Sequence, residues 1–375
     1  ADNGWKYVTG ADSGGGSYSF TIDYSNIQGG VVTVGETIQY FVVAQDAANN
    51  LSSLPSTAGA SANPPVQHIN AKPGTGVNSY SILAPLSGTV TVGPSGSYPS
   101  LSGSSGLFAA VNASALTGNL TVNITGNTTE DGSVTLNATN ANVYPNGFTL
   151  TIQPNSATMR TVSGSISLSS LITLNGVNRV TIDGRFGGSG RYLTFRNTST
   201  GSFASSIAFI NDASNNTISN CVLEGASTNT GVVAFRTGSV AGNDNNTVTG
   251  NQIRDRSDAS GVPISLVSSG GTSDWVANSD NTISNNDMFN FTGWGVGVGS
   301  GSKSWSITGN TIYQTAARTT QHEGISFSGL GSNTIRGNIV RDMTTSVDAF
   351  GIDIPGQAGN TIIAGNRIWN LGNRS

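Results

Sequence analysis

A short motif built around an asparagine repeats through the second half of the chain, and it constrains the fold more than any other feature. Three of its copies read "NNTISNCVLE" from Asn215, "NNTVTGNQIRD" from Asn245 and "NTIRGNIVRD" from Asn333. Aligning the isoleucine or valine of each copy gives a column of six residues: Ile218, Val248, Ile283, Ile307, Ile335 and Ile362. They span 144 residues in five intervals, a period of about 29 residues that indicates a solenoid.

Every repeat carries two further apolar segments, one before the motif and one after it. The preceding segments include "SIAFI" from Ser206 and "GVVAF" from Gly231, and the following ones include "CVLEG" and "NQIRD". Short apolar runs bounded by turn residues are typical of strands, so each coil contains three of them. The pattern predicts an all-β chain in which residues 119–375 form a right-handed parallel β-helix of about nine coils.

The asparagine of the motif falls where an inward-facing residue is expected. A buried amide without partners costs about 1–3 kcal/mol. Neighbouring strands of a sheet lie about 4.8 Å apart, so stacked amides can each donate to one neighbour and accept from the other. We therefore predict an asparagine ladder that fixes the register of the coils, with Ile218 and Val222 on the same inner face. Its predicted members are Asn220, Asn251, Asn286, Asn310, Asn338 and Asn366.

The first third of the chain has a different pattern. In residues 1–62, "SYSFTIDYS" and "ETIQYFVVAQD" alternate apolar and polar positions and predict strands of a partial immunoglobulin-like β-sandwich. A linker rich in proline, glycine and alanine follows at residues 63–78. Residues 79–118 contain the strand "GTVTVG" and a short helix in "GLFAAVNASAL", which we expect to cap the first coil of the β-helix.

Composition excludes several classes of partner. Charged residues make up 10% of the chain and the net charge is −4, so a nucleic-acid partner is not expected. No apolar stretch is long enough for a transmembrane helix, and Cys221 is the single cysteine, which rules out an internal disulfide. No cofactor is expected. Three turns are rich in side-chain oxygen atoms: "NDASNN", "GNDNN" and "NSDN". We expect their asparagine, aspartate and glycine residues to supply the backbone conformations of turns. A bound calcium ion is the weaker alternative.

Two longer stretches resemble a known group of proteins. "VNRVTIDGRFGGSGRYLTFRNTS" with "IAFINDASNNTISNCVLEG" resembles the β-helix segments of very large exported surface proteins of Bacteroidetes and Chlorobi-type bacteria. "SYSFTIDYSNIQGGVVTVGETIQYFVVAQDAANN" resembles the Ig-like segment that commonly precedes such a β-helix. The resemblance implies an exported protein at the bacterial cell surface with no assigned chemistry. Its implied partners are copies of itself or adjoining domains of a larger surface protein.

A search for catalytic groups leaves one weak candidate. Parallel β-helices often carry polysaccharide lyases and hydrolases, and glycoside hydrolysis needs two carboxylates about 5–10 Å apart. The best set is His322 and Glu323 in "QHEG" with Asp348 on the adjacent coil. A solvated turn is the simpler interpretation of "QHEG", so the sequence favours a protein that is not an enzyme. A polysaccharide lyase or glycoside hydrolase stays open as the second alternative.

Aromatic residues recur at outward positions of the third strand of the repeat. Phe289, Tyr313 and Trp369 fall in one row, which also contains Leu223, Arg254 and Arg341. Such a row can stack on sugar rings or on a partner protein, whereas packing beneath long turns is the alternative. Three further tryptophans lie in neighbouring strands or turns: Trp275, Trp294 and Trp305.

Together these patterns predict a non-enzymatic extracellular structural or surface protein. The short N-terminal sandwich and the absence of an evident cap on the last coil have two explanations. The chain is either a piece of a longer protein or a protomer that neighbouring copies complete head-to-tail, which would build a filament or tube. The first alternative function is a carbohydrate-binding adhesin, which requires the aromatic row to be exposed.

Overall fold

The computed structural model describes residues 5–27, 29–48, 50–54, 62–63, 68–69, 76–139, 147–270, 276–356 and 359–372. The chain divides into two compact units, Ala1–Ala84 and Pro85–Ser375. The predicted linker at residues 63–78 and Trp275 lie largely or wholly outside the described residues. Across the described residues, no helix combines the length and the apolar composition that crossing a bilayer requires.

The first unit is built from small antiparallel sheets of two strands each. The paired strands are Ala11–Gly14 with Ser17–Ser19, Thr37–Tyr40 with Asn78–Ser81, Val42–Gln45 with Leu51–Leu54, and Ala62–Asn63 with His68–Ile69. A 3₁₀ turn occupies Tyr24–Asn26. The all-β prediction is confirmed here, but the strand Asn78–Ser81 pairs within this unit and is not part of the cap of the β-helix.

The second unit is a parallel β-helix with three sheets. The first sheet contains Ala84–Val92, Ser114–Ile124, Leu150–Pro154, Val180–Asp183, Thr217–Ser219, Thr247–Thr249, Thr282–Ser284, Ser306–Thr308, Ser332–Arg336 and Asn360–Ala364. The second contains Thr128–Thr129, Arg160–Gly164, Leu193–Asn197, Val222–Gly225, Gln252–Asp255, Asp287–Phe289, Thr311–Tyr313, Ile339–Met343 and Arg367–Leu371. The third contains Leu136–Asn137, Ile172–Asn175, Ile207–Ile210, Gly231–Phe235, Ser265–Ser269, Trp294–Val298, His322–Phe327 and Ala349–Asp353. A short parallel pair, Asn278–Ser279 with Ser302–Lys303, extends one turn.

The core is a column of stacked apolar side chains inside the three sheets. Ile218 lies in register with Val248 of the next coil, and Ile307 with Ile335. The residue in register with Ile335 on the last coil is Ile363, which is 47% exposed, and its neighbour Ile362 is 61% exposed. The sequence alignment was therefore one residue out at the final coil. Parallel strands in this arrangement are about 4.8 Å apart, so nine coils extend roughly 40–45 Å.

The single α-helix described by the structure is Leu107–Asn112, immediately before the strand Ser114–Ile124. Leu107, Phe108 and Val111 are buried in the hydrophobic core. The sequence predicted a helix that also included Ala115 and Leu116, but these residues belong to the strand Ser114–Ile124. Three apolar residues within one and a half turns are enough to cover the first coil, and the chain then resumes the β pattern.

The asparagine ladder is present along the inner edge between the first and second sheets. Each Nδ2 donates to the Oδ1 of the asparagine one coil further on, at 2.9–3.2 Å, for the pairs Asn251–Asn286, Asn286–Asn310, Asn310–Asn338 and Asn338–Asn366. Each Oδ1 also accepts the backbone N–H of the preceding asparagine, and each Nδ2 also donates to a backbone carbonyl. Both ends of these buried amides are therefore satisfied.

Asn220 is not a member of this ladder, which corrects the prediction. Cys221 occupies the buried position, and its N–H donates to Asn251 Oδ1 at 2.9 Å. Asn220 adopts a positive φ of 52°, the conformation that Gly250 and Gly309 adopt at the same place in later coils. Asparagine tolerates the left-handed region better than most residues, so here it makes the turn. Leu223 consequently faces inward, and Val222 is only half-buried.

A second ladder, which the sequence analysis missed, begins two residues before the isoleucine column. Asn216 Nδ2 donates to Asn246 Oδ1 at 3.0 Å, and Asn246 Nδ2 donates to Asn281 Oδ1 at 3.2 Å. Trp305 then replaces an asparagine in the column, and its N–H donates to Asn333 Oδ1. The indole is 1% exposed and its Nε1 donates to the Asn278 carbonyl, so the substitution leaves no buried donor without a partner. The signal was the asparagine that opens most copies of the motif.

We expect Asn310→Ala to lower the free energy of unfolding by about 3 kcal/mol. The change removes Asn310 Oδ1, which accepts from the backbone N–H and Nδ2 of Asn286, and Asn310 Nδ2, which donates to the Ile283 carbonyl and Asn338 Oδ1. Asn137→Ala is the matched control, since Asn137 accepts from Asn175 in a solvent-exposed ladder, and its loss should cost about 0.5 kcal/mol. Urea denaturation followed by circular dichroism measures both. Equal midpoint shifts would contradict the structural role of the buried ladder.

Candidate functional site

A shallow groove of about 560 Å³ lies on the outer face of the third sheet. Its floor is a row of small side chains that are in register on four successive coils: Ala234, Ser268, Gly297 and Ser326. Because alternate residues of a strand face outward, the same strands that fill the core also set the spacing of this row. Of these four small residues, Ala234 is 1% exposed and the other three are partly exposed, so the floor is open over Ser268, Gly297 and Ser326.

Trp294 forms one side of the groove. It is the first residue of the strand Trp294–Val298, and its side chain is 36% exposed. A Cβ atom placed on Gly297 would lie 3.3 Å from Trp294 Cγ and 3.5 Å from Cδ2. The indole therefore lies against the glycine, and a larger residue at position 297 would displace it.

Phe203 and Arg236 also line the groove. Phe203 is 44% exposed, and the Arg236 guanidinium carbon lies 5.4 Å from the centre of its ring, a cation–π contact. Arg236 Nη2 donates to the Phe203 carbonyl at 2.7 Å and to Ser170 Oγ at 3.0 Å. These contacts hold the guanidinium in one orientation.

The rest of the lining combines apolar residues, among them Phe235 and Val298, with uncharged polar ones. Hydroxyl and amide groups come from Asn229, Thr230, Thr237, Ser265, Ser269 and Ser328. Among the described residues that line the groove there is no aspartate or glutamate. The arrangement can stack an aromatic face against a ligand, exchange hydrogen bonds with it and offer one cation, but its lining contains no carboxylate pair for acid–base chemistry.

The predicted catalytic residues do not form one site. His322 and Glu323 lie in the strand His322–Phe327, not in a solvated turn. Because successive residues of a strand face opposite sides, the His322 ring is 1% exposed inside the core, where it contacts Phe291. Glu323 faces outward in register with Trp294, and Asp348 lies exposed immediately before the strand Ala349–Asp353.

The predicted aromatic row exists, but most of its ring surface is already covered. Phe289 and Tyr313 stack at 5.0 Å between ring centres. Arg254 covers the other face of Phe289 at 4.7 Å, and Arg341 covers Tyr313 at 4.3 Å. Phe289 is 6% exposed, so it does not provide the exposed platform that the adhesin prediction required.

Two further details of this row differ from the sequence analysis. Trp369, in register with Arg341, is 45% exposed and is the member of the row that reaches solvent most fully. Glu224 takes the outward position that had been given to Leu223, and it pairs with Arg196 at 2.5 Å.

The oxygen-rich turns use their carboxylates as hydrogen-bond acceptors. Asp212 accepts the N–H groups of Ser239 and Gly242 and the Ser239 hydroxyl. Partial burial raises the pKa of Asp212, but these hydrogen bonds outweigh burial and lower it to about 2. Asp244 accepts the N–H of Ser279 at 2.7 Å. Within the described ranges, no three histidine, cysteine or acidic side chains come together as a metal site, so the calcium alternative gains no support from these turns.

Comparisons with known proteins find two solved structures with low similarity to this chain. No protein-family model matches the chain, and no curated protein matches it. The Streptococcus pneumoniae surface protein and adhesin PfbA is similar at 10% identity and a TM-score of 0.28, over 71% of this chain and 94% of that one. A mutant tailspike of E. coli bacteriophage HK620, in complex with a pentasaccharide, is similar at 12% identity and a TM-score of 0.23.

The match to the tailspike covers 76% of this chain and 60% of the tailspike chain. The structure itself places this chain in the class of parallel β-helix proteins. Similarity at these identities and TM-scores does not indicate which ligand this chain binds, and it identifies no family or lineage.

We expect acid to destabilise the β-helix partly through His322. Burial lowers the pKa of His322 below its usual value near 6.5. The unfolded chain then binds more protons than the folded chain as pH falls, so the stability that the neutral ring confers is present above about pH 6.5 and is lost below it. Urea midpoints at pH 7.5 and pH 5.0 should differ less for His322→Gln than for the unmodified chain. An identical pH dependence would rule out this contribution.

Proposed function

We propose that this chain is a non-enzymatic extracellular surface protein whose β-helix carries a glycan-binding groove on its third sheet. The observation that carries the proposal is that two partly exposed aromatic side chains, Trp294 and Phe203, line one groove with a floor of small residues. Sugar rings have apolar C–H faces and hydroxyl edges. Aromatic side chains complement the faces, and the serine, threonine and asparagine groups of the lining complement the edges.

The scaffold suits recognition of an extended chain. Parallel register carries the floor row across four coils, and the two asparagine ladders hold those coils at fixed spacing. A rigid site loses little conformational entropy when a ligand binds. The groove follows the long axis of the β-helix, so consecutive sugar units of a polysaccharide would meet consecutive coils.

Catalysis is the less favoured function for this groove. Hydrolysis of a glycosidic bond needs two carboxyl groups on either side of it, and the described lining contains none. His322, the only histidine of the predicted set, is inside the core. The alternative of a polysaccharide lyase or glycoside hydrolase therefore ranks below binding, and an assay for reducing ends or unsaturated sugars released from polysaccharides tests it directly.

The location and lineage belong to the same proposal. An exported protein at a bacterial cell surface fits a chain with 10% charged residues and a β-helix rich in serine, threonine and asparagine. The resemblance to Bacteroidetes and Chlorobi-type surface proteins supports the same location. Head-to-tail assembly into a filament or tube stays a prediction, and negative-stain electron microscopy tests it: regular fibres would support it and isolated short particles would contradict it.

We expect Trp294→Ala and Phe203→Ala each to weaken glycan binding at least tenfold on a glycan array and in titration calorimetry. Phe186→Ala is the matched control, because Phe186 is also 44% exposed but does not line the groove. All three variants should keep the circular dichroism spectrum of the unmodified chain, since each side chain is partly exposed. Unchanged binding by Trp294→Ala, or no glycan bound by the unmodified chain, would contradict the proposal.

A further inference from the structure

We propose that the groove selects an anionic saccharide, one that carries carboxylate or sulfate groups, and that Arg236 is the residue that makes the selection. This inference rests on the proposed glycan-binding function and specifies its substrate class. It begins from the position of Arg236, directly after the strand Gly231–Phe235. Phe235 faces inward and stacks on Phe209 at 4.6 Å, so the next residue faces outward onto the groove.

The guanidinium of Arg236 is held in place before any ligand arrives. Three acceptors share its Nη2: the Phe203 carbonyl, Ser170 Oγ and, at 3.5 Å, Ser205 Oγ. The Phe203 ring supports the guanidinium group. In the described part of the chain, Nη1 has no protein acceptor and is the N–H group left for a ligand, because Nε, which also has no acceptor, is buried from solvent. The charge-assisted hydrogen bonds of an arginine to a carboxylate or sulfate need this kind of fixed, unoccupied N–H group.

Arg236 also differs from other arginines of the β-helix in its charge balance. Several others pair with acids: Arg185 with Asp183, Arg196 with Glu224, Arg254 with Asp255, Arg256 with Asp258 and Arg341 with Asp342. No aspartate or glutamate of the described ranges pairs with Arg236. Arginine stays protonated at neutral pH, so this half-buried cation lacks a counter-charge. A ligand anion would supply one.

The acidic residues around the groove indicate which end of it an anionic group would occupy. Asp212 lies on the neighbouring coil, at the turn that follows Arg236, and its carboxylate accepts the N–H groups of Ser239 and Gly242. The acids in register with the floor or with Trp294 are Glu323, one coil past Trp294, and Asp353, one coil past Ser326. Both lie outside the lining and towards the end of the floor that is distant from Arg236. An anionic group therefore fits beside Arg236 and Phe203. The whole chain carries a net charge of −4, so general attraction of polyanions would not produce the same preference.

Two matched pairs of polymers test the inference. Polygalacturonate is compared with the same polymer after reduction of its carboxyl groups to alcohols, and dextran sulfate is compared with dextran. We expect the unmodified chain to bind at least one anionic member ten times more tightly than its neutral partner. The first pair reports on carboxylate and the second on sulfate. The preference should shrink as salt is raised from 50 to 500 mM, because the charge contact is partly exposed.

Variants separate Arg236 from the rest of the surface. Arg236→Gln should abolish the preference for the anionic member of each pair, whereas Arg236→Lys should keep part of it. Arg256→Gln is the control, since Arg256 is an outward arginine that already pairs with Asp258. If Arg236→Gln does not fold, Ser326→Asp replaces it: a carboxylate on the floor should weaken binding of the anionic member and spare the neutral one.

The outcomes distinguish the inference from the function on which it rests. Equal binding of anionic and neutral partners, or an unchanged preference in Arg236→Gln, overturns the inference while glycan binding stands. A glycan array on which only neutral glycans bind would also overturn the inference while glycan binding stands. An array on which nothing binds overturns both. Loss of the preference in Arg256→Gln as well would assign it to the general charge of the surface and not to Arg236.

Discussion

The hydrogen bond from one buried carboxamide to the next is the interaction on which the rest of the β-helix depends. Each asparagine from Asn251 to Asn366 joins two coils through Nδ2 and Oδ1, and it also binds the backbone on both sides. An amide that slipped by one residue would lose all of these partners at once. The ladder therefore fixes the register of every strand that follows, including the strands that align the floor of the groove.

The architecture could be predicted because its signal is periodic and local. A repeat of about 29 residues with three apolar segments leaves few folds other than a three-sheet solenoid. The position of single residues was harder to predict. Asn220 and Asn251 look alike in the sequence, yet Asn220 adopts a positive φ and makes a turn while Asn251 is buried. An asparagine serves either role, and its position in the turn decides which: in the next coil Asn285 adopts the positive φ while Asn286 is buried in the ladder.

The groove was beyond prediction because it is assembled across coils. Phe203, Arg236 and Trp294 come from three different turns of the chain, and no local pattern brings them together. Trp294 was noticed as an aromatic residue, but its fit against Gly297 is visible only in three dimensions. Adjacent His322 and Glu323 suggested chemistry because they are neighbours in sequence, although a strand directs neighbours to opposite faces.

Coil length varies although the register does not: 35 residues separate Val248 from Ile283, and 24 separate Ile283 from Ile307. All of the difference is absorbed by turns outside the ladders. Insertions and deletions in those turns can therefore accumulate during evolution without moving the sheets. Related proteins can therefore differ in the turns that border a groove while the strands that form its floor stay the same. Ligand preference can then diversify faster than the fold.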